Sequence, residues 1–190
     1  RKEIKDVIAY LRVIQNPNDD ISLKRIINVP KRGIGRVTME KAEQLALSNG
    51  VSIYSIIVQP DNFPGLSRAA DKLKAFTDTL ARFRTMLSCT NLTEWVKMII
   101  EESGIIKELE LEGTVEAKTR IENIREFQSV AVEFVRNSEE EEPSLEDFLA
   151  HISLIADVDD MEEEADRVVL LTMHSAKGLE FPVVFLAGME

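Results

Sequence analysis

A single cysteine, Cys89, stands in this chain of 190 residues. An internal disulfide is therefore excluded, and the composition fits a reducing compartment. Cys89 falls near the end of a helical run and reads as an unreactive thiol rather than a nucleophile. Two histidines, His151 and His174, are too few and too widely separated for a zinc site, so no metal is expected. No run of eighteen apolar residues occurs and no charged-then-apolar leader opens the chain. A protein that neither spans a membrane as a helix nor is exported is the expectation, which makes the location cytoplasmic. No GxxxxGKS or GxxxxGKT loop is present to cradle phosphates with backbone amides. Nor does a strand ending in Asp-Glu supply a magnesium carboxylate and a base for water. With both missing, and with the chain opening on Arg1, the expectation is an excised piece that is not an enzyme alone.

What is present is ample for one domain with a core, since 44% of the residues are apolar. The net charge of −11 is unevenly spread. Thirteen acids and no Lys or Arg lie between Asn137 and Asp166, which exceeds the whole net charge. Between Ile21 and Lys41, by contrast, six bases (Lys24, Arg25, Lys31, Arg32, Arg36, Lys41) face one acid, Glu40. Fields between exposed charges are screened beyond roughly 8 Å at physiological salt, so local balance decides where a polyanion docks. The amino-terminal quarter is the candidate face for nucleic acid.

Nearly everything before Arg167 reads as helix. Ile4, Val7, Ile8, Leu11 and Ile14 make one apolar stripe, closed by the turn Asn16-Pro17-Asn18-Asp19-Asp20. Ser22 is expected to cap a second helix running to about Asn28. A third follows the Pro30–Gly35 loop, with Val37, Ala42, Leu45 and Ala46 inward and Gly50 at its end. Ser52 opens a short helix. Leu73, Phe76, Leu80, Phe83 and Leu87 mark a long one between about Leu66 and Ser88. Asn91 or Thr93 starts the next, in which Trp95 reads as a core aromatic. Gly104 breaks that run, and a short helix continues through Leu111. Thr114 to about Arg136 carries Ile121, Ile124, Phe127, Val130, Ala131 and Phe134 inward. Ser144 opens a last helix to about Ile155. Glu139–Pro143 and Asp157–Glu164 read as acidic linkers; the second lacks the glycine and the bidentate Glu of a calcium loop.

Pro30-Lys31-Arg32-Gly33-Ile34-Gly35, between two short helices, looks like the hairpin of a helix-hairpin-helix element. Two glycines allow a tight turn and a close approach to a phosphate. The second would sit at a helix amino terminus, where unpaired amides and the helix dipole favour an anion. Ile34 would tuck back between the helices, while Lys31, Arg32 and Arg36 add positive charge. Contacts of this kind grip a duplex backbone without reading its sequence. A glycine-containing connection with surface bases is the plainer alternative.

At the other end, two β-branched apolar runs, Val168–Leu171 and Val183–Leu186, flank a polar stretch and suit strands buried on both faces of a sheet. The stretch Thr172-Met173-His174-Ser175-Ala176-Lys177-Gly178-Leu179-Glu180-Phe181 strongly resembles motif V of the superfamily 1 DNA helicases of the UvrD/Rep/PcrA type. Upstream, Glu3-Ile4-Lys5-Asp6-Val7-Ile8-Ala9-Tyr10-Leu11 and Asn28-Val29-Pro30-Lys31-Arg32-Gly33-Ile34-Gly35 resemble the entry to the accessory 2B subdomain of that family. The match covers essentially the whole chain and is nearest to the PcrA branch.

The resemblance implies a mainly α fold: a multi-helix bundle with a helix-hairpin-helix-like element and a short carboxyl-terminal β appendage. Residues 1–166 would be the accessory 2B-like subdomain, and residues 167–190 a stub of the second RecA-like domain carrying motif V. The implied function is part of an ATP-dependent helicase moving 3′ to 5′, in which this piece contacts and orients duplex DNA and regulates unwinding. Lys31, Arg32, Gly33, Ile34, Gly35 and Arg36 would meet the duplex. Thr172, His174 and Lys177 match positions on the single-strand track, and Glu180 matches the acid near the nucleotide ribose. ATP and Mg would serve only the full-length protein. Partners would be DNA and possible repair or transcription proteins. A protein–protein adaptor with no direct DNA role is the alternative from another class.

Overall fold

A computed structural model describes residues 1–138, 142–161 and 183–186, the side chains of 156–161 excepted. Among them are nine α-helices: α1 (Lys2–Gln15), α2 (Asp20–Ile26), α3 (Arg36–Asn49), α4 (Ile53–Ile57), α5 (Ala70–Leu87), α6 (Leu92–Glu102), α7 (Ile105–Glu112), α8 (Val115–Asn137) and α9 (Leu145–Met161). Two 3₁₀ segments, Pro60–Asn62 and Pro64–Ala69, link α4 to α5. The fold is mainly α, as the helical periodicities require. The chain divides into two compact units, Arg1–Leu149 and Ala150–Glu190. No helix of the described residues is long and apolar enough to cross a membrane.

Helix starts follow side-chain chemistry. Ser52, Asn91 and Thr114 cap α4, α6 and α8 by accepting from the amides of Ser55, Glu94 and Ala117, each satisfying an orphan N–H. Ser144 and Asp147 form a reciprocal box at α9: the Asp147 amide donates to Ser144 Oγ at 3.1 Å, and the Ser144 amide to Asp147 Oδ2 at 3.2 Å. The second helix departs from expectation. Its cap is Asp19, which accepts from the Ser22 amide at 3.0 Å and the Ser22 hydroxyl at 2.6 Å. A carboxylate one turn earlier reaches the amide that Ser22 itself occupies.

The core of the first unit is built round α1, which packs against α2, α5 and α8. With neighbours on three sides it buries more than one stripe. Tyr10 and Val13 are inaccessible beside Val7, Leu11 and Ile14, whereas Ile4 and Ile8 are only half-buried. Even Glu3 and Asp6 are buried. Asn123 Nδ2 donates to Glu3 Oε1 at 2.6 Å, and Arg25 Nε pairs with Asp6 at 2.7 Å. Burial pushes the Asp6 carboxyl above its ordinary range, with Arg25 opposing. Along α5, Leu73, Phe76, Leu80 and Phe83 face the core as the spacing predicts. Trp95 is fully buried, and its indole N–H donates to the Phe83 carbonyl at 2.7 Å. A buried indole keeps its hydrogen bond in this way and its ring is closed to base stacking.

Three further expectations are corrected. Val37 is 64% exposed, because α3 packs on α4 and Pro64–Ala69 through Ala42 and Ala46, leaving its first turn outside that contact. Helix α9 runs on through Asp157 to Met161, where an acidic linker was expected. Acidity alone does not end a helix, and the segment holds no Gly or Pro to do so. Val183–Leu186 form no strand, and Phe185 is 92% exposed. A strand of the two-faced kind needs a ladder partner, and the described residues offer none. Val168–Leu171 lie outside the described residues.

Candidate nucleic-acid interface

The loop between α2 and α3 is held from several directions. Its first turn continues α2, with the Val29 amide donating to the Ile26 carbonyl at 2.9 Å, and Val29-Pro30 is a cis peptide. The Lys31 amide donates to Glu108 Oε1 at 2.9 Å, and the Arg32 amide to Asn28 Oδ1 at 2.7 Å. Ile34 is 2% exposed and roots the loop in the core. Gly104, at the start of α7, has φ +88°, and a Cβ there would lie 3.1 Å from Pro30 Cγ. Here glycine serves both conformation and close packing.

The two hairpin glycines differ. Gly33 has φ +68°, a left-handed backbone that favours glycine. Its carbonyl accepts from Lys72 Nζ at 3.2 Å, a base brought in by α5. Gly35 has φ −77° and ψ 168°, extended backbone open to any residue. It precedes α3 with no side-chain cap, and a Cβ built on it would meet nothing within 4 Å. The amide end of a fourteen-residue helix is thus exposed beside a residue with no side chain.

The bases of this quarter are placed unequally. Lys24 pairs with Glu43 at 3.4 Å, Arg25 with the buried Asp6, and Arg36 with Glu40 at 3.0 Å. Arg36 nonetheless stays 89% exposed. Lys31 is exposed, and its ammonium makes no ion pair among the described residues. Arg32 is turned inward. Its Nη1 donates to the carbonyls of Ile26 (3.0 Å), Val29 (3.0 Å), Pro30 (3.2 Å) and, more weakly, Ile27 (3.4 Å). Its Nη2 donates to Tyr10 Oη at 2.6 Å and to the Ser103 carbonyl at 3.3 Å. The guanidinium lies 5.0 Å from the Phe76 ring centroid and 6.0 Å from that of Tyr10. Burial raises the Tyr10 phenol above its ordinary value, with Arg32 opposing. Exposed Lys31, Gly33 and Gly35 therefore lie together at the loop with Arg36 of α3 and Lys72 of α5, while Arg32 and Ile34 support it from within.

A model for the UvrD-like helicase C-terminal domain matches residues 1–190. The chain belongs to the UvrD-like helicase C-terminal domain family. Among relatives of this family member, a Staphylococcus aureus protein named ATP-dependent DNA helicase PcrA is 46% identical over 191 residues. A Staphylococcus epidermidis protein of the same name is 44% identical over 191 residues. In both cases all of this chain is covered and 26% of the relative, so the chain spans about a quarter of their length.

Within this UvrD-like domain, the sequence pattern singled out the hairpin but not Lys72. Thirty-nine residues separate Lys72 from Gly33, and no local pattern marks a contact made by packing α5 near the loop. Tyr10, Ser103 and Glu108 were missed for the same reason, at separations of 22, 71 and 77 residues from their partners in the loop. Thr172, His174, Lys177 and Glu180 lie outside the described residues. No group of three or more His, Cys, Asp or Glu side chains among the described residues could hold a metal ion.

Proposed function

We propose that this domain grips the sugar-phosphate backbone of duplex or junction DNA through the α2–α3 hairpin. The carrying observation is Gly35: neither its backbone angles nor its neighbours require glycine. A side chain is absent where an incoming phosphate would approach the uncapped amides of α3. Lys31 and Arg36 flank that point, and Lys72 has donors left beyond the one given to Gly33. These are contacts to phosphate, so binding is independent of sequence.

The family membership supports the wider reading. The domain belongs to an ATP-dependent helicase that uses Mg and moves 3′ to 5′, in which residues 1–166 orient the duplex and regulate unwinding. Residues 167–190 then belong to the second RecA-like domain, with Thr172, His174 and Lys177 toward the single strand and Glu180 toward the nucleotide. Repair or transcription proteins are further partners on this reading.

Titrating a fluorescent duplex with the 190-residue chain over a salt series tests the grip. With two or three phosphate contacts, affinity falls about ten- to a hundredfold over a fourfold rise in salt. Replacing Lys31 and Arg36 together with Ala lowers affinity at every salt concentration and reduces the slope of log affinity against log salt by about two. Unchanged affinity in that double variant would overturn the reading and favour a protein-binding role.

A further inference from the structure

We infer that Arg32 is a positioning residue that holds the hairpin in its gripping shape and does not touch DNA; the inference rests on the duplex-binding reading above. Six acceptors from four parts of the fold converge on its two terminal nitrogens: the end of α2, the Val29-Pro30 turn, Tyr10 on α1 and Ser103 before α7. A guanidinium has donors in a fixed planar fork, and here its two terminal nitrogens are engaged from inside the protein. Phe76 of α5 lies 5.0 Å from it and contributes a cation–π contact. Both terminal nitrogens are thereby committed to acceptors inside the protein rather than to a phosphate. The same side chain thereby ties the loop to α1, α2, α5 and the α6–α7 junction.

Tyr10 is the second member of this device. Its hydroxyl accepts from Arg32 and donates to the Val29 carbonyl at 2.5 Å, so one phenol joins the guanidinium to the turn it stabilises. The result is a loop whose outward groups, Lys31 and the Gly33–Gly35 backbone, are set before any ligand arrives. Without the clip the loop would have to be ordered during binding, and affinity would fall although the phosphate contacts stay the same in number.

Lysine at this position separates the two roles, because it keeps the charge and loses the fork. For Arg32→Lys in the 190-residue chain, duplex affinity at fixed salt falls about tenfold, the scale of one charged hydrogen bond, while the salt slope stays that of the parent. Amide exchange at Lys31, Arg32 and Gly33 speeds up, and exchange in α5 and α8 does not. Tyr10→Phe gives the same pattern in weaker form, and the double variant loses less than the two single losses combined. If Arg32→Lys binds and exchanges like the parent while Arg32→Ala lowers the slope by about one, Arg32 is a phosphate contact and the inference is wrong. Exchange that quickens equally throughout α5 and α8 also overturns it, since the residue would then serve global stability. The exchange readout needs no DNA. It decides the role of Arg32 even if the Lys31 and Arg36 substitutions were to dismiss duplex binding.

Discussion

Gly35 and Gly104 show two opposite reasons for glycine in one neighbourhood. Gly104 combines φ +88° with a Cβ position 3.1 Å from Pro30 Cγ, so any substitution strains backbone and packing together. Gly35 has extended backbone and empty space. Serine is the better helix cap, so Gly35→Ser should leave stability unchanged or raise it by a few tenths of a kcal/mol. Duplex affinity should nevertheless fall, because the new side chain occupies the path of the phosphate. Urea denaturation and duplex titration of the same preparation check both halves. Affinity equal to that of the parent would mean that Gly35 serves only as a helix cap.

At the scale of elements, the short helix α2 depends on its cap residue, Asp19, for a defined start. Burial alone would push the Asp19 carboxyl up, but the Ser22 hydroxyl and amide outweigh it and hold it below its usual value of 3.8. A depressed carboxyl stabilises the fold above its unfolded-state value, and that contribution is lost as pH falls through the folded one. Asp19→Ala should therefore cost about 1 kcal/mol near neutral pH. The cost should shrink as pH drops below about 4. Denaturation of parent and variant across a pH series checks this. Asp6, raised by burial, contributes with the opposite sign, but it is present in both proteins and cancels in the difference. A cost that is constant with pH would place the effect in packing rather than in the charged cap.

For the whole molecule, the prediction concerns the two ends of the motif V stretch in a protein of the relatives' full length. Glu180→Gln should weaken nucleotide use by removing charge-assisted hydrogen bonds worth roughly 1.5–3 kcal/mol each, and should spare DNA affinity. His174→Ala should impair DNA-stimulated turnover and leave nucleotide binding nearly intact. Parallel measurement of ATP affinity, single-strand affinity and unwinding separates the two. Equal damage to one ligand by both substitutions would withdraw the roles carried over from the family.

Much of this protein was legible in one dimension because helices are local objects. The 3.6-residue spacing of Leu73, Phe76, Leu80 and Phe83, the caps Asn91 and Thr114, and the break at Gly104 depend on residues a few positions apart. The same holds for the hairpin, whose proline, glycines and bases are contiguous, and for the family, which rests on strings of adjacent residues. Charge was a poorer guide. Six bases in one quarter of the sequence suggested a broad positive face, yet Lys24, Arg25 and Arg36 meet carboxylates and Arg32 is spent on carbonyls inside the fold. Formal charge counts ions without their partners, and the partners Asp6, Glu43, Tyr10 and Ser103 come from other turns and helices. Lys72 enters the site by the same route, across thirty-nine residues. Which cation faces outward is fixed by the packing of α1 and α5 around the loop, because only packing sets which acceptors lie within reach of each donor.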